Sequence, residues 1–83
     1  MKLVLVEWVD SYSGRGWRKL SELVEDCEPL LCQSVGWLAS EKNGHKVIVP
    51  HLSGERNDNV AVYGSGEITI PAKAIVKMTI LKK

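Results

Sequence analysis

The sequence LLCQSVGWLASEKNGHKVIVPHL, residues 30–52, contains the strongest fold signal of the chain. Two runs of mostly apolar residues flank Asn43-Gly44, a pair that accepts positive φ angles at both positions of a tight turn. Residues 30–41 and 45–52 are therefore predicted to form a β-hairpin. A two-residue turn sets its register, with the cross-strand pairs Lys42–His45, Glu41–Lys46, Ala39–Ile48 and Leu38–Val49.

The segment before this hairpin predicts one strand and one helix. Residues 2–9 are rich in Val and Leu on both alternating faces, which indicates an interior strand. After a polar loop at residues 10–16, the apolar period changes from two to that of a helix over residues 17–27, and Pro29 ends it. The predicted apolar face of this helix consists of Trp17, Leu20, Leu23, Val24 and Cys27.

The segment after the hairpin is less decisive. Residues 60–63 and 67–70 flank Gly64-Ser65-Gly66 either as a second hairpin or as parts of a long loop. Residues 71–74 are suited to one tight helical turn after Pro71, and residues 75–81 then read as the last strand.

These elements predict one mainly β domain that spans residues 1–83. Small antiparallel sheets often close to hide their edges. The predicted fold is therefore a small SH3-like five-stranded antiparallel barrel with one short helix after the first strand. An OB-type barrel and an open ββα sheet are the alternatives.

The composition limits the classes of partner. The formal net charge is +1, with 11 Lys+Arg against 10 Asp+Glu, so no strong field favours nucleic acid or an anionic membrane. The N-terminal apolar run is interrupted by Glu7 and Asp10 before it reaches the length of a signal or membrane segment. A cytoplasmic protein with no membrane partner and with reduced cysteines is expected.

Two catalytic or metal patterns are present only in outline. Cys27, Cys32, His45 and His51 have the spacing of a zinc finger, but the two histidines bracket a predicted strand and would lie roughly 20 Å apart. The serines lack the glycine pattern of a nucleophile elbow. We therefore predict no metal, no cofactor and no enzymatic activity.

Several short motifs resemble those of a group of phage proteins. They are Trp8-Val9-Asp10-Ser11, Gly16-Trp17, Ser34-Val35-Gly36-Trp37-Leu38, Val49-Pro50-His51 and Ile70-Pro71. Together they resemble short uncharacterised proteins of tailed bacteriophages and prophages over nearly the whole chain. The resemblance implies a setting, infection of a bacterial cell, in which such proteins act by binding.

The leading hypothesis is a non-enzymatic binding module that occupies a host protein or blocks a host defence complex. Its surface would combine the region around Trp8 with the loops at residues 11–17 and 51–66, two polar loops on a small scaffold. The predicted binding residues are Trp8, Asp10, Ser11, Arg15, Trp17, His51 and Arg56.

Two other hypotheses stay open. In the first, the chain is an oligomeric sponge for a small anionic ligand or nucleotide, with Arg15, Arg18 or Arg56 on phosphate and a Trp or Tyr63 on the base. In the second, an OB-like or Sm-like barrel binds single-stranded nucleic acid, although the balanced charge disfavours it. A homo-oligomer is compatible with each hypothesis.

Overall fold

The structure is a computed structural model that describes residues 1–11, 16–25, 28–54 and 63–83. It is mainly β, as predicted, and the described residues include one short α-helix. The elements in chain order are β1 (Leu3–Asp10), α1 (Leu20–Glu25), β2 (Leu30–Ser40), β3 (His45–Val49), β4 (His51–Ser53), β5 (Tyr63–Ser65), β6 (Ile68–Pro71), a 3₁₀ turn (Ala72–Ala74) and β7 (Ile75–Lys82).

Five of the strands form one antiparallel sheet in the order β6-β3-β2-β1-β7. β1 has a partner on each side, which confirms the prediction of an interior strand near the N-terminus. β6 and β7 are the edge strands, and no ladder joins them among the described residues. The five-stranded antiparallel sheet is thus confirmed, whereas its closure into an SH3-like barrel stays a prediction.

The tight turn between β2 and β3 is as predicted. Asn43 and Gly44 have φ angles of 60° and 77°, and the His45 amide donates to the Lys42 carbonyl at 3.3 Å. Beside the turn, Lys46 Nζ lies 3.0 Å from Glu41 Oε2, which confirms the predicted opposite-charge pair. An exposed pair of this kind contributes at most about 1 kcal/mol, so its role is to favour the register.

The predicted register is wrong further from the turn. Ser40 pairs with Val47, as a two-residue turn requires, but Leu38 pairs with Ile48 and Trp37 with Val49. The register shifts by one residue at Ala39, because a bulge places one extra residue on β2. The shift brings Leu38 and Ile48 to the same face, where both are buried.

The predicted strand over residues 45–52 is interrupted at Pro50. β3 ends at Val49, and β4 leaves the sheet to pair with β5 in a separate two-stranded sheet, which we call the ribbon. Proline has no N–H to donate to a ladder, which explains the break. The hairpin alternative for residues 60–70 is not supported, since β5 pairs with β4 while β6 pairs with β3; residues 60–62 lie outside the described residues.

The core lies on one face of the five-stranded sheet. It consists of Val4, Val6, Leu38, Ile48 and Ile70, with Trp8, Ile68, Ala74, Ile75 and Met78 packed around them. Gly36 permits the closest approach across this core: a Cβ atom there would lie 2.6 Å from Ile48 Cγ2 and 2.9 Å from the Val49 carbonyl oxygen. Any side chain at position 36 would therefore push β2 and β3 apart.

The C-terminal part of the chain follows the sequence-based prediction. The 3₁₀ turn Ala72–Ala74 begins directly after Pro71, and β7 follows at once as the last strand. The Ala72 amide donates to the Gly44 carbonyl at 2.8 Å, which ties this turn to the end of the β2–β3 hairpin. β7 then returns across the molecule to pair with β1.

The helix is shorter than predicted and packs differently. The helix predicted over residues 17–27 is found at Leu20–Glu25, and none of its residues is buried.

The molecule measures 59 × 23 × 22 Å, and its radius of gyration of 17.0 Å exceeds the value of about 12 Å typical of a compact chain of this length. Within the described residues, no helix has the length and apolar character that crossing a membrane requires.

Candidate functional site

The two loops that the sequence suggested as one surface lie toward different ends of the sheet. At one end, Asp10 pairs with Leu30, and the chain between these two strands leaves the sheet. At the other end, Leu3 is level with Trp37, which pairs with Val49, two residues before His51. From Leu3 to Asp10 the strand measures roughly 23 Å at about 3.3 Å per residue. The structure therefore separates the predicted site into two surfaces.

Trp8 belongs to the core more than to either surface. It is half-buried, packs against the buried cluster, and its indole Nε1 donates to Ser34 Oγ at 3.0 Å. A buried indole N–H normally needs such a partner. Trp8 was predicted as a binding residue, but its described contacts are those of a residue that packs against the core.

Asp10 and Ser11 lie where the chain leaves the sheet. Both are exposed, and Asp10 Oδ1 accepts a hydrogen bond from the Ser11 amide at 2.8 Å. This contact satisfies one backbone donor at the end of β1. We call the segment between β1 and β2, residues 11–29, the arm; the structure describes residues 11, 16–25 and 28–29 of it.

The arm carries the most exposed apolar side chains of the described chain. Trp17 has 104% and Leu20 has 78% of the surface that each side chain could expose. We call the group Trp17, Leu20, Leu23 and Val24 the arm surface; all four residues are exposed. Monomeric proteins rarely expose apolar side chains so close together without a function for them.

The geometry of α1 places these apolar residues together. The Glu22 and Leu23 amides donate to the Lys19 carbonyl at 3.1 and 3.2 Å, so the first turn of the helix begins there. Leu20 and Val24 are four residues apart and share one side of the helix. Trp17 precedes the helix and is three residues from Leu20, which extends the same apolar spacing toward the sheet.

The sequence already contained the signal for this surface. Leu20, Leu23 and Val24 of the predicted apolar face lie on α1, whereas Trp17 precedes the helix and Cys27 lies outside the described residues. Periodicity alone does not show which molecule covers an amphipathic helix. With only six helical residues and no buried one, α1 contributes nothing to the core. The residues of the arm surface were therefore already visible in the sequence as the apolar face of a predicted helix.

His51 lies on the second surface, in the ribbon. All six residues of β4 and β5 are exposed, and Leu52 and Tyr63 are the large apolar side chains among them. The ribbon contacts the sheet beside Val49, where a Cβ atom at position 64 would lie 2.8 Å from Val49 Cγ1. His51 thus shares no surface with Asp10, Ser11 or Trp17 among the described residues.

Two of the predicted binding residues, Arg15 and Arg56, lie outside the described residues, as does Cys27 of the zinc pattern. Cys32 is a half-buried free thiol, and its Sγ lies 3.8 Å from the Leu30 carbonyl oxygen. In the described ranges, no three His, Cys, Asp or Glu side chains are grouped as metal ligands. The chemistry of the described site is therefore that of apolar contact.

No family model matches this sequence, and neither a curated protein nor a solved structure is significantly similar to it.

Proposed function

We propose that this chain is a non-enzymatic binding module that inserts its arm surface into an apolar groove on another protein. The observation that carries the proposal is the exposure of Trp17 and Leu20 beside a short helix that has no buried residue. Recognition by a helix in a groove uses apolar anchors at positions i, i+3, i+4 and i+7. Trp17, Leu20 and Val24 have this spacing in the sequence, with Leu20 and Val24 on α1 and Trp17 directly before it; in the complex we expect the helix to extend to Trp17.

The residue types support protein recognition. Trp is among the residues most enriched at the energetic centres of protein interfaces. Burial of a large apolar side chain contributes about 1.5–3 kcal/mol, so two such anchors would supply about 3–6 kcal/mol of the binding energy. The other positions of the helix carry Ser21, Glu22 and Glu25, which would stay at the polar rim.

The length of α1 also supports a bound role for the arm. A six-residue helix is far below the roughly 12–15 residues at which an isolated helix becomes marginally stable. Such a helix gains most from packing its apolar side against another molecule. Asp10 and Ser11, at the base of the arm, would then lie beside the partner.

The proposed setting is the cytoplasm of a bacterial host, with a host protein or host defence complex as the partner. It is supported by the resemblance of the motifs around Trp8, Trp17 and Gly36 to those of short phage proteins. We also propose that the sheet completes an SH3-like barrel. The strand order, with a 3₁₀ turn before a last strand that returns to β1, supports that fold.

Affinity capture with two matched double variants tests the proposed function. The Trp17→Ala/Leu20→Ala chain removes an aromatic and a leucine from the arm, and the Tyr63→Ala/Leu52→Ala chain removes the same kinds of side chain from the ribbon. We expect the wild-type and ribbon-variant chains to capture one host protein. The arm variant should bind that purified protein at least about 100-fold more weakly by calorimetry, equal to about 2.7 kcal/mol.

Two results would contradict the proposal. Equal affinity of the arm variant and the wild-type chain for the captured protein would show that the arm is not the contact. A chain that captures no protein but retains a small anion or nucleotide in native mass spectrometry would favour the sponge hypothesis instead. Circular dichroism of both variants is the control for folding.

A further inference from the structure

A second apolar surface lies on the face of the sheet opposite the core. The pairs Leu3–Trp37, Leu5–Val35 and Val9–Leu31 alternate along β1 and β2 with the core residues Val4 and Val6. Directly paired residues of antiparallel strands share a face, so these side chains all point away from the core. We call Leu3, Leu5, Val9, Leu31 and Val35 the outer patch.

The outer patch is only partly covered by the described chain: Leu31 and Val35 are exposed, whereas Leu3, Leu5 and Val9 are half-buried. Val35 is 52% exposed, although it lies on β2, the middle strand of the sheet. Val4 and Val6, on the other face of β1, are fully buried. Val49 pairs with Trp37 and so lies on the same face as the outer patch, but it is buried where the ribbon contacts the sheet. The sheet therefore has two apolar faces and a core on one of them.

The charges on this face suit contact with an identical face. Glu7 lies between Leu5 and Val9, accepts a hydrogen bond from Gln33 Nε2 at 3.1 Å, and is paired along the sheet with Lys77. In a two-fold contact the same patch faces itself, so a patch with one sign of charge repels its copy. In this face the acidic Glu7 and the basic Lys77 are neighbours, so the face carries both signs of charge and can meet its own copy without net repulsion.

The total surface of the chain is large for its mass. Its accessible surface is 6848 Å², about 1,900 Å² more than the roughly 4,900 Å² typical of a folded monomer of this mass. A standard protein contact covers about 800 Å² on each partner. The difference exceeds the area of two such contacts, one at the arm and one at the outer patch.

We propose that a second copy of this chain covers the outer patch, with the β1–β2 faces of the two copies packed against each other. Stacked sheets pack about 10 Å apart, and the Leu and Val side chains of this face are the types that fill such a space. The contact goes beyond the proposed function because it uses a different face of the molecule. It leaves both arms of the dimer free to bind the same partner.

Sedimentation equilibrium with a matched pair of variants tests the dimer. The wild-type chain should sediment at twice the 9.2 kDa mass of one chain. Val35→Glu places a carboxylate in the outer patch and should weaken the dimer by roughly tenfold or more. Lys73→Glu places a carboxylate at an exposed position of the 3₁₀ turn, whose Ala74 packs on the core side of the sheet, and should leave the dimer intact.

A monomer at every concentration would overturn the proposal, and so would an assembly that Val35→Glu does not weaken. If Val35→Glu does not fold, Leu31→Glu makes the corresponding test at the more exposed end of the same strand. The two proposals fail separately. A dimeric wild-type chain whose Trp17→Ala/Leu20→Ala variant binds the partner as tightly as the wild-type chain supports the dimer alone. A monomeric wild-type chain whose Trp17→Ala/Leu20→Ala variant loses the partner supports the arm contact alone.

Discussion

The sheet and the arm both carry large apolar side chains, yet among the described residues only those of the sheet are buried. Leu38 on β2 is 9% exposed and packs against Ile48 and Ile70, whereas Leu20 on α1 is 78% exposed. The strands supply each other with backbone partners and with apolar neighbours. The described residues of the arm include neither a strand residue nor a buried one. A large apolar side chain is therefore buried only where neighbouring strands or side chains cover it.

The sheet and the arm also differ in what their apolar side chains do: those of the sheet stabilise the fold, and we propose that those of the arm bind a partner. A chain of 83 residues buries only about 60–65% of its unfolded surface, so its stability depends on a few well-packed positions. Apolar side chains outside that core add little to the free energy of unfolding of the monomer. We propose that they contact other molecules. Two matched pairs of substitutions compare the two regions directly, and a third pair compares two positions within the β2–β3 hairpin.

The largest contrast is expected for the same Leu→Ala change in each region. Leu38→Ala empties part of the core and should lower the free energy of unfolding by about 3 kcal/mol. Leu20→Ala should change it by less than about 0.5 kcal/mol, since the side chain is exposed and alanine favours helices. Urea unfolding at one protein concentration measures both. A similar loss for the two variants would mean that the arm packs on the sheet in solution.

A smaller contrast is expected for two glycines of the β2–β3 hairpin. Gly36→Ala must move Ile48 and the backbone at Val49, which should cost about 2–3 kcal/mol. Gly44→Ala meets no atom within 4 Å, so it should cost only the roughly 1 kcal/mol of a left-handed backbone conformation. The midpoints of thermal unfolding rank the two. A greater loss for Gly44→Ala would show that β2 and β3 are further apart than described.

The smallest contrast is expected for the same Trp→Phe change at two positions. Trp8→Phe removes the hydrogen bond to Ser34 and should lower the free energy of unfolding by about 1 kcal/mol. Trp17→Phe should leave it unchanged within about 0.5 kcal/mol, because that side chain contacts solvent. Denaturant titration at fixed concentration resolves this difference. Equal values would place Trp8 outside the core.

Much of the fold could be predicted from local chemistry. Asn43-Gly44 predicted the turn because few other pairs accept its backbone angles, and Pro71 predicted the start of the 3₁₀ turn. The register beyond Ala39 could not be predicted, since a bulge depends on how Leu38 and Ile48 pack. The break at Pro50 was visible in the sequence, but the new partner of β4 depends on the whole fold.

Less of the candidate site could be predicted. Trp17, Asp10 and Ser11 are exposed, but their predicted role in binding stays a prediction. Trp8 shares its residue type with Trp17, and only the hydrogen bond to Ser34 distinguishes its environment. His51 was grouped with them because both loops are polar and rich in turn residues. The sequence does not show that the two loops lie far apart in space. Three-dimensional register, which separates the two ends of β1, supplies the missing information.

The three indoles differ in a way that makes the protein its own optical probe. With 3 Trp, 2 Tyr and no Phe, near-ultraviolet emission comes almost entirely from Trp8, Trp17 and Trp37. Trp8 and Trp37 are half-buried in the sheet, whereas Trp17 is fully exposed to solvent, so we expect its emission at the longest wavelength. A blue shift and loss of quenching by iodide would then record occupation of the arm in real time, with no label attached.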